Sequence, residues 1–237
     1  MYKQSLPIVS TLVGPSLRLT VPWLFRAFQD AAIIDAENIG YGHEKTNQMG
    51  LLWVFSRVYV RFGAMPKYLS TAQIETHSGE KKAFFFPRYA TLWDEQGNVA
   101  AEISSIWALI HEDTRRVEMR PNLPSVNQTN GTEIPLPGKV VQKPCALRYS
   151  RKIEYADLDL NGHLNNVRYI EMLTNLHPAS FFDKWQFKEL LIQYESEIRE
   201  GETVDIYSDE ECTYVRGVVG DRIAFEAQIK YGLIEEN

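Results

Sequence analysis

Asp157, Asp159, Asn161, His163, Asn165 and Asn166 fall within ten consecutive residues. Together they can move protons, orient water and hold a reacting group. Directly behind them Val167, Ile170 and Leu173 recur every three residues, Tyr169 and Met172 widen the apolar stripe, and Pro178 stops it. That spacing predicts a helix running to about residue 177. Asn165 or Asn166 would cap it, because a short amide oxygen accepts from the unpaired N–H groups of the first turn. An acid, an amide and an imidazole thus gather at a helix N-terminus, where free N–H groups and the helix dipole favour developing negative charge. The chemistry this suits is attack on a carbonyl: donors hold the oxyanion, while carboxylate and imidazole activate water or carry a proton. Asp, Asn and Gly also fill ordinary turns. A turn needs two or three such residues, however, and gains nothing from a histidine.

Elsewhere the chain narrows the options. Its 237 residues, 44% hydrophobic and 24% charged with a formal charge of −6, describe a globular protein with an ample core. No long basic run points to nucleic acid. Cys145 and Cys212 lack the spacing of a metal site or a redox pair and read as reduced structural residues. Met1 to Pro7 carries neither a signal nor a transit pattern, and no apolar run reaches the ~18 residues of a membrane span. The expectation is a cytoplasmic protein.

The elements that must position the cluster come in two similar sets. A short strand is expected at 16–20. Thr20 then precedes Val21-Pro22, a cap followed by a first-turn proline. Val21, Phe25, Phe28, Ala32, Ala36 and Ile39 repeat at helical spacing up to Gly40. Alternating strands follow at 51–62, 70–78, 82–93 and 101–111, divided by turn-forming runs such as Ser78-Gly-Glu and Asp94-Glu-Gln-Gly-Asn. Residues 121–144, with Pro121, Pro124, Pro135, Pro137 and Pro144, read as an extended surface linker. Beyond it come a strand at 146–154, the cluster and its helix, then strands at 186–199, 202–208, 211–218 and 222–231. Each half is strand, helix, then several strands. This predicts an α+β chain: a tandem, or double, hotdog fold with two helices each wrapped by an antiparallel sheet. The repeats would be 1–120 and 145–237. Only the second half carries Asp-x-Asn-x-His, so a single site per chain is expected. Trp23, Phe25 and Phe28 of the first half would either shape a pocket or fill the core.

Three stretches resemble the acyl–acyl carrier protein thioesterases: Met49-Gly-Leu-Leu-Trp-Val-Phe-Ser-Arg, Ser104-Ser-Ile-Trp-Ala-Leu-Ile-His-Glu-Asp-Thr-Arg-Arg, and Asp157-Leu-Asp-Leu-Asn-Gly-His-Leu-Asn-Asn-Val-Arg-Tyr-Ile. They stand in the family's order and span the chain from about 15 to 232, as in a bacterial-type member. The resemblance implies the tandem hotdog fold, hydrolysis of fatty acyl-acyl carrier protein to free fatty acid, and no metal or organic cofactor.

It also implies site residues. The family's aspartate, asparagine and histidine fall on Asp159, Asn161 and His163, and its strand glutamate on Glu197, with Glu195 as the alternative register. Ile198 stands where plant members carry cysteine, which favours carboxylate and water over a thiol nucleophile. Asp159 would be base or nucleophile, Asn161 an orienting group, His163 the donor to oxyanion or leaving thiol, and Glu197 the group that positions water or tunes His163. Asp157 reads as a turn residue that solvates the loop. The partner would be acyl carrier protein bearing a phosphopantetheine-linked acyl chain, docked on cations such as Lys81, Lys82, Arg115, Arg116, Arg151, Lys152 and Arg168. A homodimer is compatible with the pattern. Three rival readings share the scaffold: a coenzyme A thioesterase, a dehydratase, and a non-catalytic acyl-binding module.

Overall fold

The computed structural model describes residues 1–119 and 134–234. Ten strands form one antiparallel sheet: β1 (Tyr2–Pro7), β2 (Leu51–Phe62), β3 (Thr71–Ser78), β4 (Phe85–Trp93), β5 (Val99–His111), β6 (Ala146–Lys152), β7 (Trp185–Tyr194), β8 (Thr203–Ser208), β9 (Tyr214–Val219) and β10 (Arg222–Leu233). Their spatial order is β1-β3-β4-β5-β2-β7-β10-β9-β8-β6. The halves meet where β2 pairs with β7, with Val58 opposite Ile192 and Val60 opposite Leu190. All four of those side chains are buried. Edge-to-edge joining removes two of the four free edges that separate half-sheets would expose.

Two helices lie against the sheet and touch each other: α1 (Val21–Asn38) and, after the short α2 (His43–Asn47), α3 (Asn166–Thr174). Along α1 the buried residues are Leu24, Phe25, Phe28, Ala31, Ala32 and Asp35, one face at three- and four-residue spacing. On α3 they are Tyr169, Ile170, Met172 and Leu173. The main apolar core runs through both halves and joins Phe28 to Ile170 and Phe225, with a smaller cluster around Leu51 and Leu109. This is the tandem hotdog arrangement, an α+β fold.

Several expectations need correction. The strand expected at 16–20 is a loop, and the strand that begins the chain is β1. Its residues alternate only between half-buried and exposed, so the sequence carries little contrast there. The helix after the cluster ends at Thr174, three residues short of 177. β7 ends at Tyr194, well before 199. Of the linker, residues 121–133 lie outside the described part. From 134 onward the chain has no regular structure but is pinned to the sheet. Ile134 is buried, Ser104 Oγ donates to Pro135 O at 2.6 Å, and Val141 N donates to Gln228 Oε1 at 3.2 Å.

Candidate active site

The loop before α3 is built by its own side chains. Asp159 Oδ1 accepts from the backbone N–H groups of Asn161 (2.8 Å) and His163 (3.2 Å), while Asp159 N donates to His163 O (2.8 Å). Gly162 sits at φ +74° in open space, so it is needed for its backbone and not for room. Asn165 caps α3 by accepting from Val167 N at 3.0 Å. Asn166 is the first residue of α3, so its N–H is one of the first-turn donors that no helical carbonyl meets. Asp157 is a brace, not the solvating turn residue expected. It is buried, 2.5 Å from Arg151 Nη2, 3.5 Å from Arg168 Nε, and bonded to Glu154 N.

Glu197 arrives by an irregularity. After β7, Glu195 N and Ser196 N both donate to Ala224 O (2.8 and 3.1 Å), so two residues oppose one and the chain bends. Strict strand alternation, which would turn Glu197 away from the core face, does not apply past Tyr194. Arg222 fixes the bend by donating to Ser196 Oγ (2.7 Å) and Glu197 O (2.6 Å). The segment then runs beside the loop, with Leu164 N donating to Ile198 O at 2.8 Å and His163 paired with Arg199. This brings Glu197 Oε2 to 3.1 Å from His163 Nε2. Glu195, the alternative register, is exposed and bonds Gln193 instead.

Asp159, Asn161, His163 and Glu197 all line one cleft of about 790 Å³. An inner cavity of about 150 Å³ shares Asp159, Asn161, Asn166, Leu52, Trp53 and Phe55 with it. The cavity continues between α1 and the first-half sheet along Ile33, Ala36, Ile39, Phe86 and Trp107, and reaches Arg88. Phe25 and Phe28 are core residues, and Trp23 is only partly buried. The first half does supply the apolar lining, but from the later turns of α1 and from the strands. Burial draws the His163 imidazole below its ordinary pKa. Glu197 opposes this, Arg115 adds to it, and Asp159 and Arg199 contribute in the same opposed way.

Two groups were not picked out for the site from the sequence. Arg115, expected on the docking surface, points instead into the cleft. Its Nη2 lies 3.1 Å from His163 Nε2 and its Nη1 3.3 Å from Glu197 Oε1. Tyr194 lines the same cleft, and its buried hydroxyl meets no hydrogen-bond partner among the described residues. Arg151 and Arg168 are also tied inward, to Asp157 and Glu171.

The first half contains the same loop without the chemistry. Gly14 N donates to Arg18 O as Asp159 N does to His163 O, and Thr20 N to Leu12 O as Asn165 N does to Asp157 O. Leu17 takes the left-handed conformation of Gly162. Leu19 N donates to Pro66 O as Leu164 N does to Ile198 O. Gly14, Ser16, Arg18 and Met65 therefore stand where Asp159, Asn161, His163 and Glu197 stand. Of the two loops, the second-half one alone carries the acid–amide–imidazole set.

A tandem hotdog chain with an acid, amide, imidazole and second carboxylate at the mouth of an apolar cavity has the make-up of a thioesterase-type scaffold. Comparison with known proteins fixes the family. The acyl-ACP thioesterase N-terminal domain matches residues 1–122, and the acyl-ACP thioesterase C-terminal domain matches 141–232. The chain belongs to the acyl-ACP thioesterase family. An Arabidopsis thaliana oleoyl-acyl carrier protein thioesterase is 24% identical over 86% of this chain, which spans 61% of that relative's length. Among solved structures, an acyl-ACP thioesterase from Bacteroides thetaiotaomicron superposes with a TM-score of 0.89 over 97% of both chains at 21% identity. The 12:0-ACP thioesterase from Umbellularia californica superposes at 0.81, covering 98% of this chain and 97% of its own, at 19% identity. At these identities the superpositions establish the fold.

Proposed function

We propose that this chain hydrolyses the thioester between a fatty acyl group and acyl carrier protein, releasing free fatty acid, with Asp159, Asn161, His163 and Glu197 as its catalytic residues. Family membership supports the reaction class. The observation that carries the site is the cleft that all four residues line, which adjoins an apolar cavity at Asp159 and Asn161. The acyl chain enters between α1 and the strands, and the thioester carbonyl stops at the N-terminus of α3. There the Asn166 N–H is aimed to take up oxyanion charge. Asp159 Oδ1 is spent on the loop, and Oδ2 has no hydrogen-bond partner among the described residues. That second oxygen activates water, with Asn161 orienting it. Neutral His163, tuned by Glu197, donates its ring N–H to the oxyanion, and the proton that Asp159 takes from water passes to the departing thiolate. No step calls on either cysteine: Cys212 is buried against Ser208, and Cys145 accepts from Arg216.

The carrier protein is acidic, and this chain is acidic overall, so docking falls to local cations. With Arg115, Arg151 and Arg168 committed inward, the exposed candidates are Lys82, Arg116 and Lys152. In this reading the site is complete within one chain, so a homodimer would add nothing to the chemistry. Thiol release is to be measured from a panel of carrier-protein thioesters of graded acyl length, beside the same acyl groups on coenzyme A. Turnover of the carrier-bound series with higher kcat/KM is expected. Preference for coenzyme A would move the substrate class, and no release from either would leave the non-catalytic reading.

A further inference from the structure

Arg115 reaches the site from the other repeat. It ends the turn after β5, where His111 N donates to Arg116 O, Arg115 N to His111 O and Glu112 N to Gly50 O, each at 2.9 Å. Its φ is +57°, a conformation that a long side chain seldom adopts. That strained backbone sends the guanidinium across to the second-half loop. There the three groups form a triangle: His163 Nε2 lies 3.1 Å from Glu197 Oε2 and 3.1 Å from Arg115 Nη2, and Arg115 Nη1 lies 3.3 Å from Glu197 Oε1.

One ring nitrogen cannot serve both neighbours. A guanidinium only donates, and an ionised carboxylate only accepts. If Nε2 carries a proton it bonds Glu197 and faces Arg115 donor to donor. If Nε2 carries its lone pair it accepts from Arg115, and Glu197 then keeps its ion pair with Nη1, which is not a hydrogen bond. The contact is a two-state element set by one proton.

We propose that Arg115 is a positioning residue for thioester hydrolysis: it holds Glu197 and favours the neutral His163 whose Nε2 lone pair it occupies, so that protonation of His163 is matched to the reaction. This rests on the reading that His163 and Glu197 carry the chemistry. The charged groups facing His163 are Glu197 from the segment after β7, Asp159 from its own loop, Arg115 from the first half and Arg199 from the paired segment. Removing the Arg115 charge leaves the two carboxylates less opposed. The imidazolium is stabilised, and its titration moves up.

The test uses full-length Arg115→Gln and Arg115→Lys proteins with two readouts. The first is the NMR titration of the His163 ring protons, which needs no turnover and so stays informative even if the substrate has been misassigned. For Arg115→Gln an upward shift of roughly half to one pH unit is expected. Arg115→Lys should return the titration toward wild type, because it restores charge, and its native-like spectrum guards against misfolding. The second readout is kinetics on an acyl carrier protein thioester. The acidic limb of kcat/KM should move with the titration, and kcat should fall about tenfold or more in both variants, since lysine cannot reproduce the planar fork. An unmoved His163 titration in folded Arg115→Gln overturns the proposal. So does a salt-sensitive rise in KM confined to carrier-protein substrates with kcat unchanged, which would return Arg115 to a docking role.

Discussion

Asp159 has two jobs in this structure, and a pair of substitutions separates them. Its Oδ1 holds the loop through Asn161 N and His163 N, while Oδ2 is the proposed base. Asp159→Asn keeps an oxygen in the Oδ1 position and removes the basicity. Asp159→Ala removes both. The two hydrogen bonds, in a loop that is partly exposed, are worth about 0.5–1.5 kcal/mol each. Asp159→Ala should therefore lose about 1–3 kcal/mol of stability, roughly 2–12 °C in Tm for a chain of this size. Asp159→Asn should stay within about 0.5 kcal/mol of wild type. General-base catalysis contributes roughly 10²–10⁴-fold, and both variants should lose that much kcat.

The assay is release of free thiol at saturating acyl-carrier-protein substrate, with a thermal melt on the same preparations. Equal loss of kcat with unequal loss of Tm is the expected signature. An Asp159→Asn protein that keeps a third or more of wild-type kcat would refute the reasoning, because it would show the carboxylate to be loop scaffolding. A variant that loses kcat only in proportion to its fraction unfolded would do the same.

Three other outcomes follow from the geometry. Asp35→Ala strands the buried Arg88, whose Nη1 is 2.7 Å from Asp35 Oδ2, and should cost about 3–5 kcal/mol in chemical denaturation, whereas a loss below about 1 kcal/mol would contradict it. Trp107→Leu opens the inner cavity beside Phe55, with ring centroids 3.8 Å apart, and should relax discrimination against the next longer acyl chain by roughly tenfold in kcat/KM; an unchanged chain-length profile would put the acyl group elsewhere. Cys145→Ser and Cys212→Ser should both retain kcat, and loss of turnover in a folded variant would revive a thiol mechanism.

Much of this was legible in the sequence because periodicity and capping are local. The stripe from Val21 to Ile39 and the alternation from Leu51 to Phe62 each carry their own signal, and both elements formed where the spacing put them. The acid–amide–imidazole run was legible for the same reason, since its side chains fold their own loop. What escaped depended on distant partners. β1 is half-exposed along its length and exists because β3 offers it an edge. Glu197 could not be aimed from strand parity, because the bend after Tyr194 depends on Ala224 and Arg222 opposite. Arg115 looked like one more surface cation. Nothing within its own segment marks the left-handed backbone that turns it inward.

On the proposed reading, the two repeats divide the function between them. The loop Gly14–Thr20 reproduces main-chain hydrogen bonds of Asp159–Asn165 without the Asp159 side-chain bonds, so the backbone trace alone confers no chemistry. Among the side chains that differ are the four at the proposed catalytic positions, and Arg18 spends a donor on Met65 O at 2.9 Å, where His163 meets a carboxylate. On that reading the first half, which carries none of the proposed reacting groups, supplies what the second lacks: an apolar cavity behind the loop and, through Arg115, a cation in front of it. Each half alone would have either the reacting groups or their surroundings. If Arg115 positions Glu197 as proposed, the β2–β7 seam is a functional joint as well as a structural one, because it joins the halves that bring Arg115 and Glu197 together.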